Sequence, residues 1–129
     1  MSNPETIKTV LLVDDDQNIR FVAQMSLEGL TNWEVIAAES GEDALKKVDE
    51  KTPDVILLDM MMPGMDGPTT FAKLKEKPSL SKVPVIFMTA KVQTHEIESY
   101  RHLGAAGVIT KPFDPMGLAD EIRQIVSKA

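Results

Sequence analysis

The chain contains no cysteine, which excludes disulfide frameworks and thiolate metal sites. It has no apolar run approaching the roughly 20 residues that span a bilayer. Residues 1–6 lack the basic-then-apolar pattern of a secretory signal, so the expected location is the cytoplasm. A basic excess is also missing: 14 Lys and Arg stand against 20 Asp and Glu, a net charge of −6 that argues against non-specific nucleic-acid binding. Linkers, repeats and low-complexity tracts are absent as well. What is present, 129 residues of which 43% are hydrophobic and 26% charged, has the make-up of an ordinary globular protein. That length predicts one domain over 1–129, with 1–6 a flexible tail and no second domain left for an output.

Short apolar runs alternate with helical patterns along the chain, the signature of βαβ units. The runs cover residues 10–13, 35–38, 55–58, 85–88 and 108–110. Three of them (10–13, 55–58 and 85–88) are continuously apolar, as strands buried on both faces should be, and these are expected at the centre of the sheet. Between the runs, Ile19, Val22, Ala23, Ser26, Leu27 and Leu30 follow helical spacing behind Asp16 as N-cap. Ser40 caps a second helix carrying Ala44, Leu45 and Val48, with Glu42 and Asp43 in its first turn. Pro68 opens a third through Phe71 and Leu74. Pro78 and Pro84 bracket a loop. Ile97, Tyr100 and Leu103 mark a fourth helix ending at Gly104, and Leu118, Ile122, Ile125 and Val126 a fifth, after Asp114. Right-handed crossovers then give a three-layer α/β sandwich with helices on both faces of a parallel sheet.

Four of the five runs lead into residues suited to phosphate chemistry: Asp14 and Asp15, Asp59, Thr89, and Lys111 before Pro112. In a parallel sheet the carboxyl ends of the strands share one edge, where ligands bind in open α/β folds. Three carboxylates, a hydroxyl and an ammonium would meet there. The acids cannot all stay ionised in a partly buried crevice without counter-charge. Lys111 offsets one, and the all-oxygen donor set suits Mg²⁺ better than Zn²⁺. Asp59 is then placed to act as a nucleophile forming an aspartyl phosphate, with Thr89, Lys111 and the metal balancing phosphoryl oxygen charge.

The segments Val13-Asp14-Asp15, Leu57-Leu58-Asp59-Met60-Met61-Met62-Pro63-Gly64-Met65-Asp66-Gly67, Met88-Thr89-Ala90 and Thr110-Lys111-Pro112-Phe113 resemble the receiver domain of two-component response regulators, over nearly the whole chain. The resemblance implies a doubly wound five-stranded parallel sheet of flavodoxin-like order 2-1-3-4-5 with five helices. It implies that Asp59 accepts a phosphoryl group from a phosphohistidine on a sensor histidine kinase or phosphotransfer protein. Asp14, Asp15, Asp59 and the backbone carbonyl of Met61 would hold Mg²⁺, Thr89 and Lys111 would contact the phosphoryl group, and the Lys111-Pro112 bond would be cis. The reading is a stand-alone receiver, a monomer or phosphorylation-dependent dimer. It would signal to a downstream protein through the fourth helix, fifth strand and fifth helix (residues 96–127), without binding nucleic acid or membrane. Its catalysis is limited to accepting and shedding its own phosphoryl group. The alternative is a pseudo-receiver, a docking module independent of phosphate. A flavin-binding protein is disfavoured by the acidic first loop, and a small-molecule phosphatase by the lack of a cap insertion and of a second acid beside Asp59.

Three positions depart from the common pattern of that family: Met61 in place of a polar residue, Lys91 in place of an acid or small residue, and Val108 in place of an aromatic. Other conspicuous residues read as structural. His95 and His102 are expected in solvent, Met60–Met62 as loop and core filling, Trp33 as a seal between the first helix and second strand, and residues 73–77 as a solvated helix end.

Overall fold

The continuous apolar runs become the strands β1 (Thr9–Val13), β3 (Val55–Asp59) and β4 (Val85–Thr89), in which every residue is buried. The computed structural model describes residues 6–90 and 93–129. Within them β2 (Glu34–Ala38) and β5 (Gly107–Thr110) complete a parallel sheet of order β2-β1-β3-β4-β5. The helices are α1 (Gln17–Leu30), α2 (Gly41–Glu50), α3 (Gly67–Lys75), α4 (Thr94–Leu103) and α5 (Leu118–Lys128). Among the described residues no helix is long and apolar enough to cross a membrane.

Alternation along each strand divides the core in two. Val10, Leu12, Leu57, Ile86 and Met88 meet Ala23 and Leu27 of α1 and Leu118, Ile122 and Val126 of α5. Leu11, Val13, Ile56, Leu58 and Phe87 meet Ala44 and Val48 of α2, Phe71 and Leu74 of α3, and Tyr100 of α4. Phe87 stands edge-on to both Phe71 and Tyr100, with ring centroids 5.1 and 5.3 Å away. Trp33 seals α1 against β2 as expected, packed with Ala23, Leu27 and Val35.

Capping follows the sequence. The Asp16 carboxylate accepts from the Asn18 and Ile19 amides, Ser40 Oγ from the Asp43 amide, and Asp66 from the Thr69 amide. These bonds satisfy amide groups that a helix start leaves open. Gly104 ends α4 at φ +117°, a left-handed conformation that favours glycine. Gly67, by contrast, is fixed by crowding, because a Cβ there would stand 2.5 Å from Met60 Cα and 2.7 Å from the Asp59 carbonyl. Only glycine lets α3 begin so close behind the end of β3.

The outer strand β2 turns the amide and carbonyl of Val35 and the carbonyl of Ala37 away from β1. Glu28 Oε2 accepts from the Val35 amide at 3.2 Å, Gln24 Nε2 donates to the Val35 carbonyl at 3.5 Å, and Lys47 Nζ donates to the Ala37 carbonyl at 2.5 Å.

Three expectations are corrected. Val22 and Leu30 are not core residues of α1. They are 41% and 47% exposed, because the helix turns the small Ala23 together with Leu27 inward. Residues 73–77 are not wholly solvated. Lys75 Nζ folds back to donate to the carbonyls of Leu80 and Val83, and burial lowers the pKa of its amine. The stretch between Pro78 and Pro84 is not plain loop but contains a 3-10 turn, Pro78–Leu80, that buries Leu80. Asp114 does precede α5, but Gly117 occupies the cap position and Asp114 accepts from the Met116 amide instead. Of the 1–6 tail, residues 1–5 lie outside the described residues, as does Lys91.

Candidate functional site

Parallel register sets the strand ends level: Val13 pairs with Leu58, Asp59 with Met88, and Thr89 with Thr110. Each connecting loop stays tied to the neighbouring strand for one further bond. The Asp14 amide donates to the Ala38 carbonyl at 3.1 Å, the Met60 amide to Met88 at 3.0 Å, and the Lys111 amide to Thr89 at 2.9 Å. The residues that the sequence singled out therefore emerge on one edge, held by main chain.

There Asp14 is wholly buried and Asp59 is 2% exposed, whereas Asp15 faces solvent. Carboxylate oxygens of the three lie within 4.8 Å of one another. Lys111 Nζ stands between two of them, 2.7 Å from Asp14 Oδ2 and 3.2 Å from Asp59 Oδ1. Asp59 Oδ1 also accepts from the Met61 amide at 3.1 Å, and Asp14 Oδ1 from the Asp16 amide at 2.9 Å. Thr89 is fully buried at the end of β4. The Lys111-Pro112 bond is cis, as the resemblance implied.

Charge in this pocket is finely divided. Burial, opposed by the Met61 amide and reinforced by the charge of Asp14, lifts the Asp59 carboxyl from 3.8 to about 6 even with Lys111 alongside. Burial works against the Lys111 ammonium, but contact with Asp14 and the charge of Asp59 outweigh it and raise its pKa. One protein cation thus serves a trio of acids. The set fits a hard divalent cation on two grounds. All donors are oxygen, and Asp14 Oδ2, though buried and ion-paired, makes no aligned hydrogen bond.

Two contributors escaped the sequence reading. Arg20 Nη1 donates to the Asp14 carbonyl at 2.8 Å and holds that loop from the first turn of α1. The Met61 amide, rather than its side chain, touches Asp59. The Met61 side chain is 61% exposed beside a depression of about 430 Å³ shared with Pro63 and Asp66, while Met60 and Met62 are buried as core filling. His95 and His102 lie exposed on α4, with His95 Nε2 3.9 Å from Glu96 Oε1. Val108 is half-buried and packs in the same cluster as Phe87 and Tyr100, so the aromatic in this part of the core is supplied by α4 instead of β5.

Comparison with known proteins matches residues 10–123 to the family described as response regulator receiver domain. The chain is similar to the alkaline phosphatase synthesis transcriptional regulatory protein PhoP of Bacillus subtilis, 34% identical over 122 residues that make up 95% of this chain and 50% of PhoP. It is 37% identical to the response regulator PleD of Caulobacter vibrioides over 118 residues, 90% of this chain and 25% of PleD. The chain thus spans half or less of the length of these two curated relatives. Among solved structures it resembles the chemotaxis protein CheY4 of Vibrio cholerae, with a TM-score of 0.86 and 28% identity, covering 93% of this chain and 99% of that one.

Proposed function

Because the chain belongs to the response regulator receiver family, we propose that it takes a phosphoryl group on Asp59 from a phosphohistidine donor in a Mg²⁺-dependent reaction, and passes the signal on by changed protein–protein contacts. The observation that carries this reading is the buried Asp59 carboxylate, with Asp14 and Asp15 inside 4.8 Å and the Lys111 ammonium 3.2 Å away. The donor would be a sensor histidine kinase or a phosphotransfer protein in the cytoplasm. Asp14, Asp15 and Asp59, with the Met61 carbonyl, would hold Mg²⁺, which when bound supplies positive charge against the phosphoryl oxygens.

The step itself is a displacement at phosphorus. A carboxylate oxygen of Asp59 attacks, the P–N bond breaks, and its electron pair returns to the donor imidazole, leaving an acyl phosphate. Lys111 is already positioned to transfer its contact from Asp59 to the incoming oxygens, and Thr89, at the adjoining strand end, offers its hydroxyl. Signalling requires that these new contacts favour one of two conformations over the other. The face built from α4, β5 and α5 carries a groove of about 480 Å³ between Arg101, Val108, Glu121 and Ile125, suited to a downstream protein.

Incubation with a small phosphodonor, with and without Mg²⁺, followed by mass spectrometry, tests the reading. One phosphoryl group is expected on Asp59 in the parent with Mg²⁺, and none in Asp59→Asn. Failure of the parent to take phosphate from either a small donor or a phosphohistidine would favour a phosphate-independent docking module. A second expectation concerns lifetime. The apolar, exposed Met61 beside the acceptor hinders an attacking water, so Met61→Asn should lose phosphate several-fold faster than the parent. Equal or slower loss, followed by the decay of the mass-labelled species, would refute it.

A further inference from the structure

Asp14 and Asp15 enter the acidic pocket from the two sides of one peptide unit, the carbonyl of Asp14 joined to the amide of Asp15. Asp14 is held from several directions. Its amide donates to the Ala38 carbonyl at 3.1 Å, and its carboxylate accepts from the Asp16 amide and pairs with Lys111. Asp15 is exposed, and among the described residues neither its amide nor its carboxylate has a hydrogen-bond or ion-pair partner. The position of its carboxylate is therefore set by the tilt of the peptide unit before it. Among the described residues one bond fixes that tilt, from Arg20 Nη1 to the Asp14 carbonyl at 2.8 Å. Arg20 is oddly placed by ordinary helix electrostatics. Its amide donates to the Asp16 carbonyl at 3.0 Å in the opening turn of α1, and its guanidinium reaches back past the helix start. The open amides at that end carry partial positive charge, which favours acids over cations. Yet α1 has no acid in its first turn and has this arginine instead. Arginine suits the task of holding a carbonyl, because its rigid fork loses little freedom on bonding and its charge strengthens the contact.

We propose that Arg20 is a positioning residue for Mg²⁺: by fixing the peptide unit between Asp14 and Asp15, it keeps the Asp15 carboxylate beside those of Asp14 and Asp59 before any ion binds. This role rests on the reading of the trio as a Mg²⁺ site, and it adds a residue that touches none of the three carboxylates. With the bond in place, carboxylate oxygens of all three acids lie within 4.8 Å of one another. Without it the peptide unit turns, Asp15 swings into solvent, and binding must first reorder the loop. Charge acting alone would have the opposite sign. A cation on the Asp14 main chain repels an incoming Mg²⁺, so its removal would tighten binding if repulsion were its main effect. Positioning and repulsion are thus separated by the direction of the change.

Arg20→Met keeps the aliphatic stem and removes the donor. Calorimetric titration is expected to show Mg²⁺ binding about tenfold weaker than in the parent, the usual scale of loss when a group that orients a metal ligand is removed. Arg20→Lys, which keeps a charge and a donor on a shorter arm, should fall between the two. In metal-free protein, NMR amide relaxation should show greater mobility at Asp15 and Asp16 in Arg20→Met, with Met60 and Lys111 unchanged. Phosphoryl uptake from a small donor should need about tenfold more Mg²⁺ to reach half its maximal rate, with the maximal rate itself little altered. Mg²⁺ binding that is unchanged or tighter in Arg20→Met would overturn this role. So would Asp15 and Asp16 amides as ordered in the variant as in the parent. Should Arg20→Met fail to fold, Arg20→Lys decides by the same two measurements, and parent-like values in both would overturn the role. A parent that takes no phosphate, with Mg²⁺ binding still weakened in the variant, would refute phosphoryl transfer and uphold Arg20.

Discussion

Replacing Lys111 with methionine is expected to destabilise the fold by about 3–5 kcal/mol in magnesium-free buffer near pH 7.5, the usual cost of stripping one partner from a buried ion pair. The side chain is replaced by one of similar length, so packing is largely kept and the loss reports on charge. Asp14 and Asp59, whose side chains are 0% and 3% exposed, would lose the ammonium that lies 2.7 and 3.2 Å from them. The pH dependence follows from the two kinds of group. The pKa of the Lys111 amine is raised in the fold, so its contribution is complete below its ordinary value of 10.5 and is lost only as pH rises through the folded value. Between pH 5 and 8 the defect is therefore governed by the acids. As pH falls through about 6, Asp59 takes up a proton and the defect shrinks. Urea denaturation at pH 5 and 7.5, with and without Mg²⁺, measures it. A loss that is the same at both pH values and untouched by Mg²⁺ would mean that Lys111 acts by packing.

Asp59→Asn should move stability the other way. The Asp59 carboxyl titrates near 6 in the fold against 3.8 ordinarily, so the folded state prefers it protonated. Its favourable contribution is complete below 3.8 and is lost as pH rises through 6; by pH 7.5 ionised Asp59 is a burden on the fold. Asparagine removes the charge while keeping an oxygen for the Met61 amide, and a gain of about 1–2 kcal/mol is expected at pH 7.5, discounted for solvent screening and for the lost pairing with Lys111. The advantage should disappear below pH 4. Added Mg²⁺ should narrow it, because a cation that binds only the folded parent stabilises the parent. A variant no more stable than the parent at pH 7.5 without Mg²⁺ would contradict the burden assigned to Asp59.

These opposite signs share one origin that was partly visible in the sequence. Asp14 and Asp59 could be placed because each interrupts a run of residues that must be buried, and parallel strands leave only one edge for such interruptions. The pairing of Lys111 with Asp14 more closely than with Asp59 could not be read, since it depends on the reach of a flexible side chain across three strands. Arg20 was hidden because its role is toward a main-chain carbonyl, which leaves no pattern in residue types. On α1 the periodicity was ambiguous. Apolar residues at 19, 21, 22, 23, 25, 27 and 30 leave more than one possible inner face, and packing selected the one with the smallest residue, Ala23. Lys75 misled for the opposite reason. Its neighbours are charged and exposed, but the turn at 78–83 presents the carbonyls of Leu80 and Val83, and the long stem of Lys75 reaches them. Gly67 was legible as a turn residue but not as the gap that admits α3 behind Asp59.

The groups of β2 that point outward have a bearing on how the protein behaves when crowded. A bare outer strand is a template on which foreign backbone can add, the first step of fibrillar growth. With Glu28 and Gln24 on Val35, and Lys47 on the Ala37 carbonyl, three of the outward groups of that template are already occupied from within the same molecule. Foreign backbone docking on this flank must therefore first displace those intramolecular bonds.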